Sequence, residues 1–380
     1  MRRHRRSWPE GKYSSIKNAE SMTHQFQYSN RSILAGFFIT TMIAAAGFIS
    51  GCQTPDTKDI KLVRIDNLHR IDVFVGDKLF TSYQYSEKYE KPFLYPVNAP
   101  NGSVITRGFP VEPRKGERVD HPHQVGLWFN HGSVNGFDFW NNSSAIPADQ
   151  KSLYGHIAVK KIVKTESGKK GVLEVIANWD DNDGNTVLVE NTRYIFSGNE
   201  NAWTVDHITT LTAENGPVTI LDNKEGMFAI RVDRAFEMPS NEPLVFTDDK
   251  GNPETVEAID NTGVTGMYTS SQGLRGDAVW GTRNDWVILS GTKDNTLITF
   301  GIFDHPGNPG YPAYAHARGY GLFSVNNLGQ KSYDPKQENR HFNLEKGESM
   351  KMNHRFYVQS GSELTPERAN GIFGEFSKAY

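Results

Sequence analysis

The sequence predicts an all-β protein, a large antiparallel β-sandwich with one short C-terminal helix. Three observations point to it. Runs of alternating apolar and polar residues recur at short spacing. Glycine (35) and proline (18) are abundant among 380 residues and, with Asn and Asp, bound most of those runs. Helical periodicity is scarce, and only the C-terminal end carries a helix-start signature. Many short strands separated by turn signals pack as a sandwich or barrel.

In chain order, residues 1–51 read as a basic leader and signal peptide. They hold seven Lys and Arg against two acids, and residues 33–49 are a mostly apolar run followed by Ser50-Gly51-Cys52. That run is short for a membrane span, and its small residues near the end suit a cleaved secretory signal. The ending resembles the lipobox of bacterial lipoproteins, which makes Cys52, the single cysteine, the expected lipidated first residue of the mature chain. An uncleaved transmembrane anchor is the alternative. Met22 gives a leader of more usual length than Met1. The expected location is extracytoplasmic, lipid-anchored to a bacterial membrane and facing the periplasm or cell surface.

Residues 52–59 read as a polar tether and 60–380 as one β-sandwich domain. Segments 62–65 and 70–75, then 79–83 beyond the Gly76-Asp77-Lys78 turn, are expected strands. So are 156–165, 171–179, 186–196, 202–212, 226–232, 286–290, 296–303, 321–325 and 349–358. Residues 241–281 are polar and read as a long looped excursion. Thr365-Pro366-Glu367 supplies an N-cap, a proline at N1 and an acidic first turn for the terminal helix.

Beyond residue 51 the chain carries 34 Lys and Arg against 42 Asp and Glu. A mildly acidic domain lacks the basic surface that nucleic acids require, so no nucleic-acid partner is expected. With Cys52 taken by lipid, no disulfide and no thiol nucleophile remain. P-loop, GxGxxG, Gly-x-Ser-x-Gly and His-Glu-x-x-His patterns are all missing, which argues against nucleotide-dependent, serine-hydrolase and zincin chemistry.

Chemistry-bearing residues gather in three segments. In the first, His121 and His123 at i and i+2 would share one face of an extended backbone. With His131 they could hold one divalent metal ion or a substrate. Trp128, Asn130, Asn135 and Asp138 are the types that grip sugars, with rings stacking on pyranose faces and amides bonding hydroxyls. The alternative puts these aromatics in the core and the asparagines in turns. The second segment runs from Asp304-His305 through a proline-rich loop to Tyr314, His316 and Arg318. His316 and Arg318, again two apart, could face one site, with Arg318 offering a planar fork to an oxygen. The third is Lys224-Glu225-Gly226, where Glu225 is a candidate general base and an exposed Lys–Glu pair the alternative.

Together these segments resemble a bacterial family labelled "methane oxygenase PmoA", or PmoA-like, over most of the chain from about residue 60. The resemblance rests on Asp120-His-Pro-His-Gln-Val-Gly-Leu-Trp128, His131-Gly132, Asn135-Gly-Phe-Asp-Phe-Trp140, Lys224-Glu-Gly226, Phe303-Asp-His-Pro-Gly-Asn-Pro309 and Tyr320-Gly-Leu-Phe323. The chain departs from the family pattern at Gln124, where a second histidine is usual, and at Gly319, where an acid is favoured. Family members tend to occur with carbohydrate-catabolism proteins. The resemblance therefore implies a carbohydrate-active protein, for which the supersandwich of sugar mutarotases is a candidate fold. On that reading the ligand is a sugar, glycoside or oxidised sugar, processed by acid–base chemistry with or without one divalent metal. Glu225 is then the base, His305 or His316 the acid, and Arg318 the oxyanion clamp. Trp128, Asn130, Asn135, Asp138 and Tyr314 contact substrate, and His121, His123 and His131 hold metal or substrate. A non-catalytic glycan-binding lipoprotein is the rival. A copper oxygenase is what the label suggests, although nothing beyond the histidines indicates oxygen chemistry.

Overall fold

The computed structural model describes residues 57–380, and these form two antiparallel sheets packed face to face. The nine-stranded sheet runs, neighbour by neighbour, Ile60–Ile65, Arg70–Val75, Lys78–Gln84, Phe93–Val97, Leu127–His131, Gly226–Arg231, Leu322–Asn326, Ala313–Ala317 and Arg283–Asn284. The eight-stranded sheet runs Met267–Ser270, Trp286–Lys293, Thr296–Asp304, Ser349–Ser360, Ala202–Thr212, Thr186–Gly198, Gly171–Asp180 and His156–Glu166. All twelve sequence-read strands are present, with ends that move by a few residues. The 241–281 excursion is more ordered than a loop. It holds the pair Leu244–Thr247 and Pro253–Val256, and it contributes Met267–Ser270 to the edge of the eight-stranded sheet.

Alternation drives the assembly. Ile71, Val73, Phe80, Phe129, Phe228, Ile230, Phe323 and Val325 of one sheet meet Leu173, Phe196, Val205, Phe300, Ile302 and Phe356 of the other in a continuous core. Each such side chain contributes about 1.5–3 kcal/mol by leaving water. The Arg70–Val75 strand turns into its partner through Gly76, whose φ of +63° is open to glycine at little cost.

Two polar inclusions lie inside this core. Thr192 donates to Glu190 Oε1 (2.6 Å), Trp179 donates to Glu190 Oε2 (2.7 Å), and Thr192 also meets the Thr209 hydroxyl, 3.4 Å from His207 Nε2. In the second, Asp304 accepts from Asn308 (2.7 Å), Asn327 (2.9 Å) and the Ala313 amide (2.8 Å), while the Asn327 carbonyl oxygen meets His354 Nε2 at 3.0 Å, and the His354 ring lies 6.5 Å from that of His207. Burial pushes the Asp304 carboxyl up to about 7 and holds His207 down to about 3.

The helix Pro366–Phe376 starts at Thr365, whose hydroxyl accepts from the Arg368 amide (3.4 Å). Its Ala369 and Phe376 cover Trp286, Ile288, Phe303 and Tyr357 on the outer face of the eight-stranded sheet. The nine-stranded sheet has a smaller apolar cluster on its own outer face: Phe93, Tyr95, Val125, Trp128, Trp140, Ala229 and Leu322. Most of the candidate site residues lie in or beside the strands and loops that flank that cluster.

Candidate functional site

Cross-strand register fixes which side chains look outward. Phe129 pairs with Phe228 and Phe228 with Val325, all on the core side. Their neighbours along each strand, Trp128, Asn130, Arg231, Tyr314 and His316, therefore point to the outer face, whereas His131 points inward.

At one end of this face the loop 107–124 is locked by a buried charge network. Arg107 donates to the Asp120 carbonyl (2.9 Å), the His121 carbonyl (3.0 Å) and the Gln124 carbonyl (3.1 Å). Arg107 and Arg231 both grip Asp120 Oδ1, at 2.5 and 2.6 Å, and Arg231 also binds the Gln124 side chain. Gln124 thus serves as an acceptor for Arg231. Burial alone would raise the Asp120 carboxyl. The hydrogen bond from His121 and the charges of Arg231 and Arg107 outweigh it and hold the group far below the ordinary carboxylate range.

Here the structure corrects the expectation of an extended His121-Pro122-His123. His121 has φ +42°, a strained left-handed backbone for a non-glycine residue, retained by the Arg107 clamp. The two imidazoles meet edge to face with centroids 5.6 Å apart. His121 donates from Nδ1 to the Asp120 carboxylate at 3.0 Å and stacks on Tyr320 at 5.2 Å with planes 3° apart.

From Tyr320 an aromatic and cationic ledge continues across the face. Arg231 and Arg318 lie 4.9 and 5.8 Å from the Tyr320 centroid, and Arg318 lies 5.7 Å from that of Trp280. Trp280 leans on Tyr333 (5.9 Å), which stacks on Tyr314 (5.1 Å, 5°) and meets His316 edge-on (5.9 Å). The Tyr333 hydroxyl donates to the Lys224 carbonyl at 2.6 Å, and Lys224 Nζ pairs with Glu225 Oε1 at 2.6 Å. Thus the ledge brings together His121, Arg318, His316, Tyr314, Lys224 and Glu225 from all three segments.

His316 is 3% exposed, and its Nδ1 has no partner among the described residues. Burial, then the charges of Lys224 and Arg318, hold it down to about 3, so the imidazole is neutral at physiological pH. Burial and the charge of Lys91 hold His123 down to about 2 in the same way. Neither is a ready proton source, whereas each offers a neutral donor or acceptor.

The remaining candidates lie elsewhere or do other work. His131, at the inner end of its strand, directs Nε2 to the Leu221 carbonyl (2.8 Å) and is fully buried. His305 packs edge-on against Phe376 of the terminal helix, on the far sheet. Trp128 is buried against Trp140 and donates to Asn130 Oδ1 (3.1 Å), while Asn130 donates to the Phe139 carbonyl (2.6 Å). Asn135, at φ +50°, accepts from the Thr219 amide (2.7 Å), and Asp138 accepts from the Trp140 and Asn141 amides (both 2.9 Å). These last four make structural bonds to neighbouring side chains and backbone. The described residues contain no group of three His, Cys, Asp or Glu able to hold a metal ion. Tyr320, Trp280 and Tyr333 received no role from the sequence. Only Tyr320 carries a signal, two residues after Arg318.

No curated protein matches this sequence. Among solved structures, the galactosidase domain of an α-galactosidase–sucrose kinase aligns with 79% of the chain and 42% of its own length, at 10% identity and TM-score 0.37. A galactose mutarotase-like protein from Clostridium acetobutylicum aligns with 80% of the chain and 99% of its own, at 11% identity and TM-score 0.32. A β-arabinopyranosidase aligns with 81% of the chain and 39% of its own, at 10% identity and TM-score 0.30. By sequence, residues 70–374 match the family of unknown function DUF6807, and the chain belongs to that family.

Proposed function

We propose that the outer face of the nine-stranded sheet binds a sugar, glycoside or oxidised sugar and processes it by acid–base chemistry centred on Glu225. The observation that carries this reading is His316. It is a buried imidazole whose Nδ1 has no partner among the described residues, set beside Tyr333 and under the charges of Lys224 and Arg318, and buried polar atoms in folded proteins normally find a partner. A ligand hydroxyl supplies one. Aromatic faces beside cations and a carboxylate suit a polyol ring, which stacks through its C–H face and bonds through its rim. Glu225 accepts the proton, Arg318 steadies the developing oxyanion, and Lys224 balances the carboxylate between turnovers.

Calorimetric titration of a sugar panel tests this reading. Trp280→Ala and Arg318→Ala should each weaken binding at least tenfold, while Glu225→Gln should retain binding and abolish turnover. Unchanged binding in both ledge variants would remove the site. The rival, glycan capture without turnover, is favoured by the neutral state of His316 and His123, neither of which is primed as an acid. Binding without any product at any pH selects it.

We also propose that Cys52, which lies outside the described residues, anchors the chain to a membrane through lipid. Among the described residues no helix is long and apolar enough to cross one. Cys52→Ser should release the protein or stall its processing. A variant that stays membrane-bound at wild-type size would refute the anchor.

A further inference from the structure

Beside the ledge, and joined to it through His123, lies a cavity of about 150 Å3 whose walls include Tyr89, Lys91, Pro110, His123, Asn142 and Ser143. Lys91 is 3% exposed. Its Nζ reaches one hydrogen-bond acceptor among the described residues, the Trp140 carbonyl at 3.2 Å, and lies 5.9 Å from the Trp128 ring centroid. Two carboxylates act on it at a distance, Asp138 and Glu90, and both are engaged by other groups. Glu90 binds Lys151 (2.8 Å) and Asn142 (3.3 Å), and Asp138 binds two backbone amides and the Asn141 side chain (2.7 Å). A lysine so deeply buried is ordinarily paired. This one has spare donor capacity and faces a cavity.

We propose that this cavity is a subsite for the carboxylate of an acidic sugar, a uronate or aldonate, with Lys91 as its counter-charge and His123 and Ser143 as further donors. A single buried amine compensates a single negative charge, and Glu90 nearby disfavours a dianion, so a carboxylate fits better than a phosphate. The volume holds about five water-sized groups, enough for a carboxylate and the adjoining carbinol. The rest of the ligand then leaves past His123 towards His121 and Tyr320. Burial lowers the Lys91 amine to about 7, against the raising influence of Asp138 and Glu90, as expected of a site whose counter-charge arrives with the ligand. For the remainder of the ligand, this subsite rests on the carbohydrate reading of the ledge. For the carboxylate it does not.

The test is calorimetric titration of wild type and Lys91→Met with glucuronate, gluconate, methyl glucoside, glycolate and inorganic phosphate. Methionine keeps the length of the side chain without the charge, and its thermal midpoint reports folding. Wild type should bind glucuronate or gluconate at least tenfold more tightly than methyl glucoside or phosphate. Lys91→Met should lose that preference while binding methyl glucoside as before. Equal affinity of wild type for acidic and neutral sugars overturns the subsite whether or not the variant folds, as does a preference that survives Lys91→Met. Phosphate binding as tightly as glucuronate overturns the carboxylate assignment. Glycolate binding without any neutral sugar would keep the subsite and remove the carbohydrate reading of the ledge. Neutral-sugar binding without acid preference would do the reverse, and no binding of any probe overturns both.

Discussion

Gly226 stands where no side chain fits. A Cβ there would come within 2.7 Å of His131 Nδ1 and 3.2 Å of the Asn326 side-chain amide. Neither neighbour is free to yield, since His131 is tied to the Leu221 carbonyl (2.8 Å) and Asn326 donates to the Asn223 and Lys224 carbonyls (2.8 and 3.1 Å). Gly226→Ala must therefore shift the start of the strand that follows Glu225. Denaturant unfolding should show a loss of about 1–3 kcal/mol, the usual cost of overpacking, and ligand affinity should fall with it. Wild-type stability would show that the pocket around Gly226 deforms at no cost. His121 is the opposite case. Its left-handed φ suits glycine, so His121→Gly should keep the thermal midpoint while losing the stack on Tyr320 and the bond to Asp120. A large drop in midpoint would show that the ring, and not the Arg107 clamp, holds the loop.

At the scale of elements, Thr365→Ala removes the hydroxyl that accepts from Arg368 and should cost about 1 kcal/mol. A probe at Trp286, which lies under the helix and donates to Asn370 at 2.8 Å, should report the loosening first. A Trp286 signal that changes only with global unfolding would argue against independent fraying of the helix. The strands that were legible in the sequence are those with one wet face or a clear turn at their ends. Leu127–His131 and Ala313–Ala317 were not, because every residue in both is buried and period-two alternation vanishes when neither face meets water. The same blindness governed the site. Residue types marked the three segments, and His316 and Arg318 two apart implied a common side. Without strand starts, however, nothing showed that His131 turns inward or that His305 sits under the terminal helix. Trp280 comes from the polar excursion and Tyr333 from a loop without a motif, so the ledge's aromatic half was invisible. Lys91, a lone lysine before a proline, carries no signal until burial is known.

Over the whole molecule, burial of neutral imidazoles predicts how stability follows pH. His123, His131, His207 and His316 are held down to about 2, 4, 3 and 3 in the fold, chiefly by burial, against 6.5 for an ordinary histidine. His354 is also held well below its usual value by burial. Between each lowered value and 6.5 the unfolded chain takes up a proton that the folded chain refuses. Stability therefore rises with pH through that window and is lost as pH falls below 6.5, by up to ~1.4 kcal/mol per pH unit for each group. Asp304 acts in the other direction. Its pKa is raised from 3.8 to about 7, so the folded state binds the extra proton and stability falls as pH climbs through that interval. Glu190 and Glu237, raised by burial, act in the same sense as Asp304. With His305, also lowered by burial, six imidazoles oppose three carboxyls, and between pH 6.5 and 4.5 the imidazoles prevail. Above 7 the lowered Lys91 amine adds its own rise, because the unfolded chain keeps that proton up to 10.5. Scanning calorimetry from pH 4.5 to 8.5 should show a midpoint that falls on acidification and is highest on the alkaline side of neutrality. His207→Phe should flatten the acid limb, since the ring is already enclosed by Phe129, Tyr194 and Phe228 and its Nδ1 has no partner among the described residues. A midpoint that holds steady or climbs as pH drops from 6.5 to 4.5 would mean that these imidazoles find protons, and therefore water, inside the sandwich.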